Sequence, residues 1–586
     1  MAYPNFHEVD EELQHSEIFW EPAFYDTDGS PVYETAYGFL QNEIVARNDA
    51  AALRLYQEGP DTLVFWGGYE TPNGDPFIVA QQKGSFDALR VLVKIYLEDP
   101  RYTEPLDQYL KQLGFTPIAF ACVTAQKELT LWLINHAFPT ITLNDPDMFG
   151  KTPLFSAASG LGCGNKNPPK NLNMHEDFIF FLLDQGCLVQ DSNIYSKQGE
   201  ANNQGLGPVL EQTVLGAAIP YASYNMVSRL IAGGAQVHAR QHWDEYPLGD
   251  PYRIINGKGV TALHIASLYS NLEGIRALTD HRCNASVSEM VSSADDHGRI
   301  PLHWALLGIT IKGRSYYPQY DDYVPQPRRM DTIKLLLEAK PDTINARDKD
   351  GATAFNFLFR SDTSLSDILS TLKLLLDANP LRSTLSAPNP LGATALEDAI
   401  LHHSRRGGEV TDALFIELVE LLLDKGVDAH LCLHRLCDFG GYDCISLNLI
   451  NRLLDLSDVN DIDATGSTAM HYLVPHMNQI DVVRHLISRG ANVNVVNNKG
   501  NTPLHTVMNG TMSRRTDEDG KPDLSLPWYT PYQVREELVK IMVDAGGSMD
   551  QLNEAWKTPA QLLDEKREAR RKEEIRREAG AGRGGR

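Results

Sequence analysis

Apolar residues in this chain keep helical spacing over most of its length, in short segments that come in pairs. The clearest pair lies between residues 466 and 505. There Val482, Val483, Leu486 and Ile487 fall on one stripe of a helix. The segment before it starts at Gly466-Ser467-Thr468-Ala469-Met470-His471, and the same punctuation returns at Gly500-Asn501-Thr502-Pro503-Leu504-His505. The two threonines stand 34 residues apart. A threonine hydroxyl accepts from the first orphan N–H groups of a helix, and Pro503 loses no donor at a first helical position. Gly490 permits the left-handed conformation that ends the second helix. Neither helix buries its stripe alone, so the unit predicts a stack.

Similar starts occur at Thr116-Pro117-Ile118-Ala119, Thr152-Pro153-Leu154-Phe155, Thr213-Val214-Leu215-Gly216 and Thr261-Ala262-Leu263-His264. They continue at Ile300-Pro301-Leu302-His303, Thr353-Ala354-Phe355-Asn356, Thr394-Ala395-Leu396-Glu397 and Thr558-Pro559-Ala560, the last predicting a truncated final helix. Second helices are marked independently by the leucine triplets 335–337, 374–376 and 421–423. Degenerate units are expected at Ile44 to Tyr56, at Phe86 to Tyr96, and over 430–465 with Leu453-Leu454, giving about twelve in all. Pro475 should cut its inner helix short. Excess spacing falls in Gly, Asn and Pro-rich loops around 160–170 and 191–208. Further insertions at 240–256, 311–330 and 509–530 carry Trp243, Tyr316, Tyr317, Tyr320, Tyr323, Trp528 and Tyr529, as packed lids or as binding elements.

A turn and two helices repeating every 33 residues or so resembles the ankyrin repeat family. The resemblance implies an all-α fold, an ankyrin-repeat α-solenoid with long loop insertions. It divides the chain into an acidic aromatic arm (1–40), degenerate helical repeats (41–112), the solenoid (113–563) and a charged tail ending in Gly and Arg (564–586). It also implies that His264, His303, His471 and His505, which share the fourth place of the signature, are structural and bond to the neighbouring unit. The irregular spacing is similar to that of divergent fungal ankyrin proteins, some of which act as transcription coregulators in gene clusters.

Charge narrows the partners. With 53 Lys and Arg against 77 Asp and Glu, the net charge of −24 disfavours general nucleic-acid or anionic-membrane binding. Seven scattered cysteines read as reduced thiols, and no apolar run reaches the ~18 residues of a membrane span. The expected location is therefore cytoplasmic or nuclear. Residues 1–40 hold nine carboxylates and no Lys or Arg, interleaved with rings such as Phe19, Trp20, Phe24 and Tyr25. Such an arm either caps the first repeat or folds on a partner. Residues 564–586 carry nine cations and six carboxylates, as a solvated extension of the last helix or as an import or RNA signal.

Candidate chemistry is sparse. Gly160-Leu161-Gly162-Cys163-Gly164-Asn165-Lys166 lacks the P-loop ending and a preceding strand. His430, Cys432, His434, Cys437 and Cys444 gather metal-ligating residue types, but their spacing matches no zinc module. No enzyme, metal or cofactor is expected. The concave face of an ankyrin array binds proteins, and cations recur beside or near its turn glycines, Lys151, Lys258, Arg299, Lys349 and Lys499, with Lys557 in the matching place of the last unit. These residues are the candidate site, expected to receive an acidic or phosphorylated segment of a protein partner. The units at Gly114, Gly392 and Gly466 lack such a cation.

Overall fold

The computed structural model describes residues 24–25, 31–32, 77–78, 80, 86–98, 100, 104–112, 115–162, 172–189, 212–245, 255–282, 285–307, 327–359, 364–389, 392–405, 413–438, 447–477, 479–510 and 530–581. The expected helix at 44–56 and the loop aromatics Tyr316, Tyr317, Tyr320, Tyr323, Trp528 and Tyr529 lie outside them.

Helices begin where the capping residues placed them. Short inner helices at Pro117–Val123, Pro153–Gly162, Val214–Ala218 and Ala262–Leu268 alternate with outer helices such as Leu172–Asp184, Tyr224–Ala232 and Leu272–Asp280. These belong to a first compact unit, residues 1–296 with 311–328. The second unit, 297–310 with 329–586, holds inner helices Pro301–Leu307, Ala354–Leu358, Ala395–Arg405, Cys432–Asp438, Ala469–Leu473, Pro503–Val507 and Pro559–Ala581. Within each unit, consecutive inner helices pack on one another. This is the all-α ankyrin-type architecture that the repeats imply.

Buried leucines and alanines form the contact layer, and small residues set its spacing. A Cβ on Gly160 would stand 1.9 Å from the Val123 carbonyl oxygen, so the Pro153–Gly162 helix approaches its neighbour only through glycine. That helix runs to Gly162, three residues into the stretch expected as loop. Ahead of the regular repeats, Phe77, Tyr96, Tyr109 and Phe115 build an aromatic core between helices Phe86–Glu98 and Leu106–Gln112, with Tyr96 stacked on Tyr109 at 5.1 Å.

Four local features refine the sequence reading. The 240–256 insertion opens with a strand, Gln241–Glu245, that pairs antiparallel with Ile255–Val260, and Trp243 is buried against Tyr269. The final helix, Pro559–Ala581, is not truncated: it spans 23 residues, because nothing in Gln561 to Arg577 breaks a helix. The Ala469–Leu473 helix stops before Pro475 and passes into a 3-10 turn ending at Met477, φ 55°. Within the arm, Phe24–Tyr25 pairs with Pro31–Val32 as a two-stranded ribbon.

Candidate functional site

In most repeats the turn before the inner helix is built by an Asp or Asn five residues ahead of the capping position. Asp348 Oδ1 accepts from the N–H groups of Asp350 and Ala352 at 3.0 and 2.8 Å. Asp463 does so for Thr465 and Ser467, Asn497 for Lys499 and Asn501, and Asn553 for Ala555 and Lys557. Asp147 repeats the arrangement with Phe149 and Lys151 in the first unit. The turn then needs a left-handed residue two places before the cap, filled by Gly351, Gly466 and Gly500 at φ between 71° and 82°. In the last turn Trp556 takes that place at φ 58°, 79% exposed. Backbone bonds link successive turns: Lys349 N–H to His297 O, Asn498 N–H to Thr465 O, and Glu554 N–H to Lys499 O.

The repeat histidines sit immediately behind these turns. His471 Nδ1 accepts the Thr468 N–H at 3.0 Å, and since an amide only donates, the ring proton is on Nε2. Nε2 then donates to Asn501 O of the next repeat at 3.0 Å. His505 takes the Thr502 N–H and donates to Lys557 O at 3.2 Å. His264 and His303 likewise accept the N–H of Thr261 and of Ile300. Asn356 substitutes in its repeat, with Oδ1 on the Thr353 N–H and Nδ2 on Asp398. Where the fourth residue is Gly216, the space is filled from the next repeat by Gln241, whose Oε1 accepts the Thr213 N–H at 2.7 Å. Burial pushes the His434, His471 and His505 rings below their ordinary value.

His434 belongs to this series. It is fourth from Leu431, and its Nε2 donates to Asp461 O and Ser467 O at 2.9 and 3.2 Å. The unit at 430–465 therefore keeps the repeat's fourth-place histidine after losing its threonine. Cys432 and Cys437 are buried in the Cys432–Asp438 helix, and burial raises both thiols. His430 faces Asp461 from the surface, and Cys444 lies outside the described residues. Among the described residues, no three His, Cys, Asp or Glu side chains gather as metal ligands.

The six candidate cations occupy three registers: one residue before the capping position (Lys151, Arg299, Lys557), three before it (Lys258, Lys499) and four before it (Lys349). Lys151, Arg299 and Lys557 directly precede the capping position and turn back onto their own repeat. The Lys151 ammonium lies 5.9 Å from the Phe155 ring, Arg299 lies 5.2 Å from Trp304, and Lys557 pairs with Glu565 at 2.7 Å. Lys258, Lys349 and Lys499 sit earlier in the turn and are exposed. Among the described residues these three form no ion pair. Lys151 also borders an apolar cleft of about 160 Å³ lined by Phe115, Ile118, Phe138, Ile141 and Met148.

This arrangement of turns, paired helices and ring-to-carbonyl bonds is that of an ankyrin array, and the comparisons agree. The family model described as Ankyrin repeat matches residues 465–498. Two curated relatives, both Ankyrin repeat protein OPG189 of Variola virus, are 30% identical over 133 residues. The alignment covers 21% of this chain, which spans about a fifth (22%) of the length of those relatives. The chain thus carries ankyrin repeats, a module for protein–protein interaction. Among the described residues, no helix is long and apolar enough to cross a membrane.

Proposed function

We propose that the chain is a non-enzymatic scaffold whose turn edge receives an acidic or phosphorylated segment of a partner protein. The observation that carries this reading is the orientation of charge within the turn. Asp348 uses Oδ1 on the turn's own N–H groups, while the neighbouring Lys349 is exposed, and Lys499, two residues after Asn497, is exposed as well; among the described residues neither forms an ion pair. Exposed lysines at the turn edge offer local positive charge on a chain of net charge −24, a basis for steering an acidic partner to them. Affinity capture with the full chain, followed by mass spectrometry, identifies the partner. Lys349→Glu with Lys499→Glu should then weaken its binding at least tenfold. Unchanged affinity rejects this assignment of the edge.

A nuclear coregulator without its own DNA-binding domain is the second reading, motivated by the nine carboxylates and interleaved rings of residues 1–40. Exclusion of a full-length fluorescent fusion from nuclei rejects it.

A further inference from the structure

The Pro559–Ala581 helix turns one face to the outer helix Thr530–Asp544, and the two enclose a cleft of about 250 Å³. Five cations line it, Arg535, Lys566, Arg567, Arg570 and Arg571, against two carboxylates, Glu536 and Glu574. The carboxylates are already engaged. Glu536 receives both arms of Arg567 at 2.8 and 2.7 Å, and Glu574 receives Arg570 Nε at 2.9 Å. Arg535, only 7% exposed, forms the floor: its Nη2 donates to Gly510 O at 3.0 Å and its Nε to Val507 O. Its guanidinium and that of Arg570 stand 5.8 and 5.9 Å from the Tyr532 ring. Lys566 and Arg571 form no ion pair among the described residues. Arg567 also meets Asp564, outside the lining, at 3.4 Å. The lining itself carries five cations against two carboxylates, in a concave site where like charges repel one another and an anion relieves the repulsion.

We propose that this cleft binds a phosphate monoester, the phosphoserine or phosphothreonine of a partner segment. Arginine forks match phosphate oxygens in pairs, and a dianion bearing three strong acceptors compensates the excess charge. Size and setting argue for one phosphate group over a polymer. A nucleic-acid track or a lipid surface needs an extended positive face, whereas here the basic residues converge on one small hollow of an acidic chain. The site is distinct from the turn edge and stands whether or not that edge binds a partner.

The test uses the full chain and two fluorescent peptide pools, degenerate around a central phosphoserine or around serine, read by anisotropy. The phosphorylated pool should bind at least tenfold more tightly. Lys566→Glu with Arg571→Glu should abolish that difference while leaving the urea unfolding midpoint unchanged, since neither side chain supports the fold. Lys349→Glu with Lys499→Glu should leave it intact. Equal affinity for the two pools overturns the proposal, as does a preference that survives in the cleft variant or is lost in the edge variant. Indifference to both pools, with binding to single-stranded RNA or phosphoinositide vesicles that the cleft variant loses, overturns it in favour of those ligands.

Discussion

Trp556 is a bulky residue in a backbone conformation that its sister turns assign to glycine, and its ring gains little from burial at 79% exposure. An L side chain in that region costs about 1–2 kcal/mol. Trp556→Gly should raise the unfolding free energy by about 1 kcal/mol in urea titration; a loss of stability would show that the ring packs. The histidines give a second prediction. Held neutral by burial, His471 resists protonation when folded, whereas in the unfolded chain it takes up a proton as pH falls through its ordinary 6.5. Its contribution is complete above that pH and diminishes below it. His471→Asn, which copies Asn356, should show a smaller stability loss than the parent between pH 7.5 and 5.5. An equal loss would assign the pH dependence to other groups.

At the scale of the element, the tightest constraint is the approach of helix Pro153–Gly162 to the Val123 carbonyl. Gly160→Ala should destabilise the first unit by about 1–3 kcal/mol through overpacking, measured by thermal unfolding; a neutral result would mean that the helices separate freely. Much of the element order was legible because threonine caps, proline starts and leucine triplets are local signals, and they placed the inner helices at Pro117, Pro153, Ala262 and Pro503. The family resemblance also assigned His471 and His505 correctly, each bonding to the next repeat. Other features were hidden for physical reasons. Gln241 replaces a histidine across 28 residues, a compensation no single repeat reveals. His434 was masked by Leu431, which removed the threonine that announces a repeat. The strand Ile255–Val260 draws its pairing from a distant partner, so its Gly-rich sequence read as loop. The Asp or Asn five residues before most caps is a local sequence signal, and counting from it separates the cations next to the cap from those earlier in the turn.

Across the molecule, repeats touch mainly their neighbours, so damage should stay local. His471→Ala should accelerate amide exchange in 463–507 and leave 214–280 unchanged; acceleration throughout would require long-range cooperativity. The ring-to-carbonyl bonds also give the second unit a direction. From His434 to Ser467, from His471 to Asn501 and from His505 to Lys557, each proton is handed toward the C-terminal side. Shortening the array is therefore not symmetric. Removing a repeat from the trailing end strands a buried donor in the one left behind, whereas removal from the leading end only bares a carbonyl that water can reach. Shortened versions should tolerate erosion from the front better than from the back.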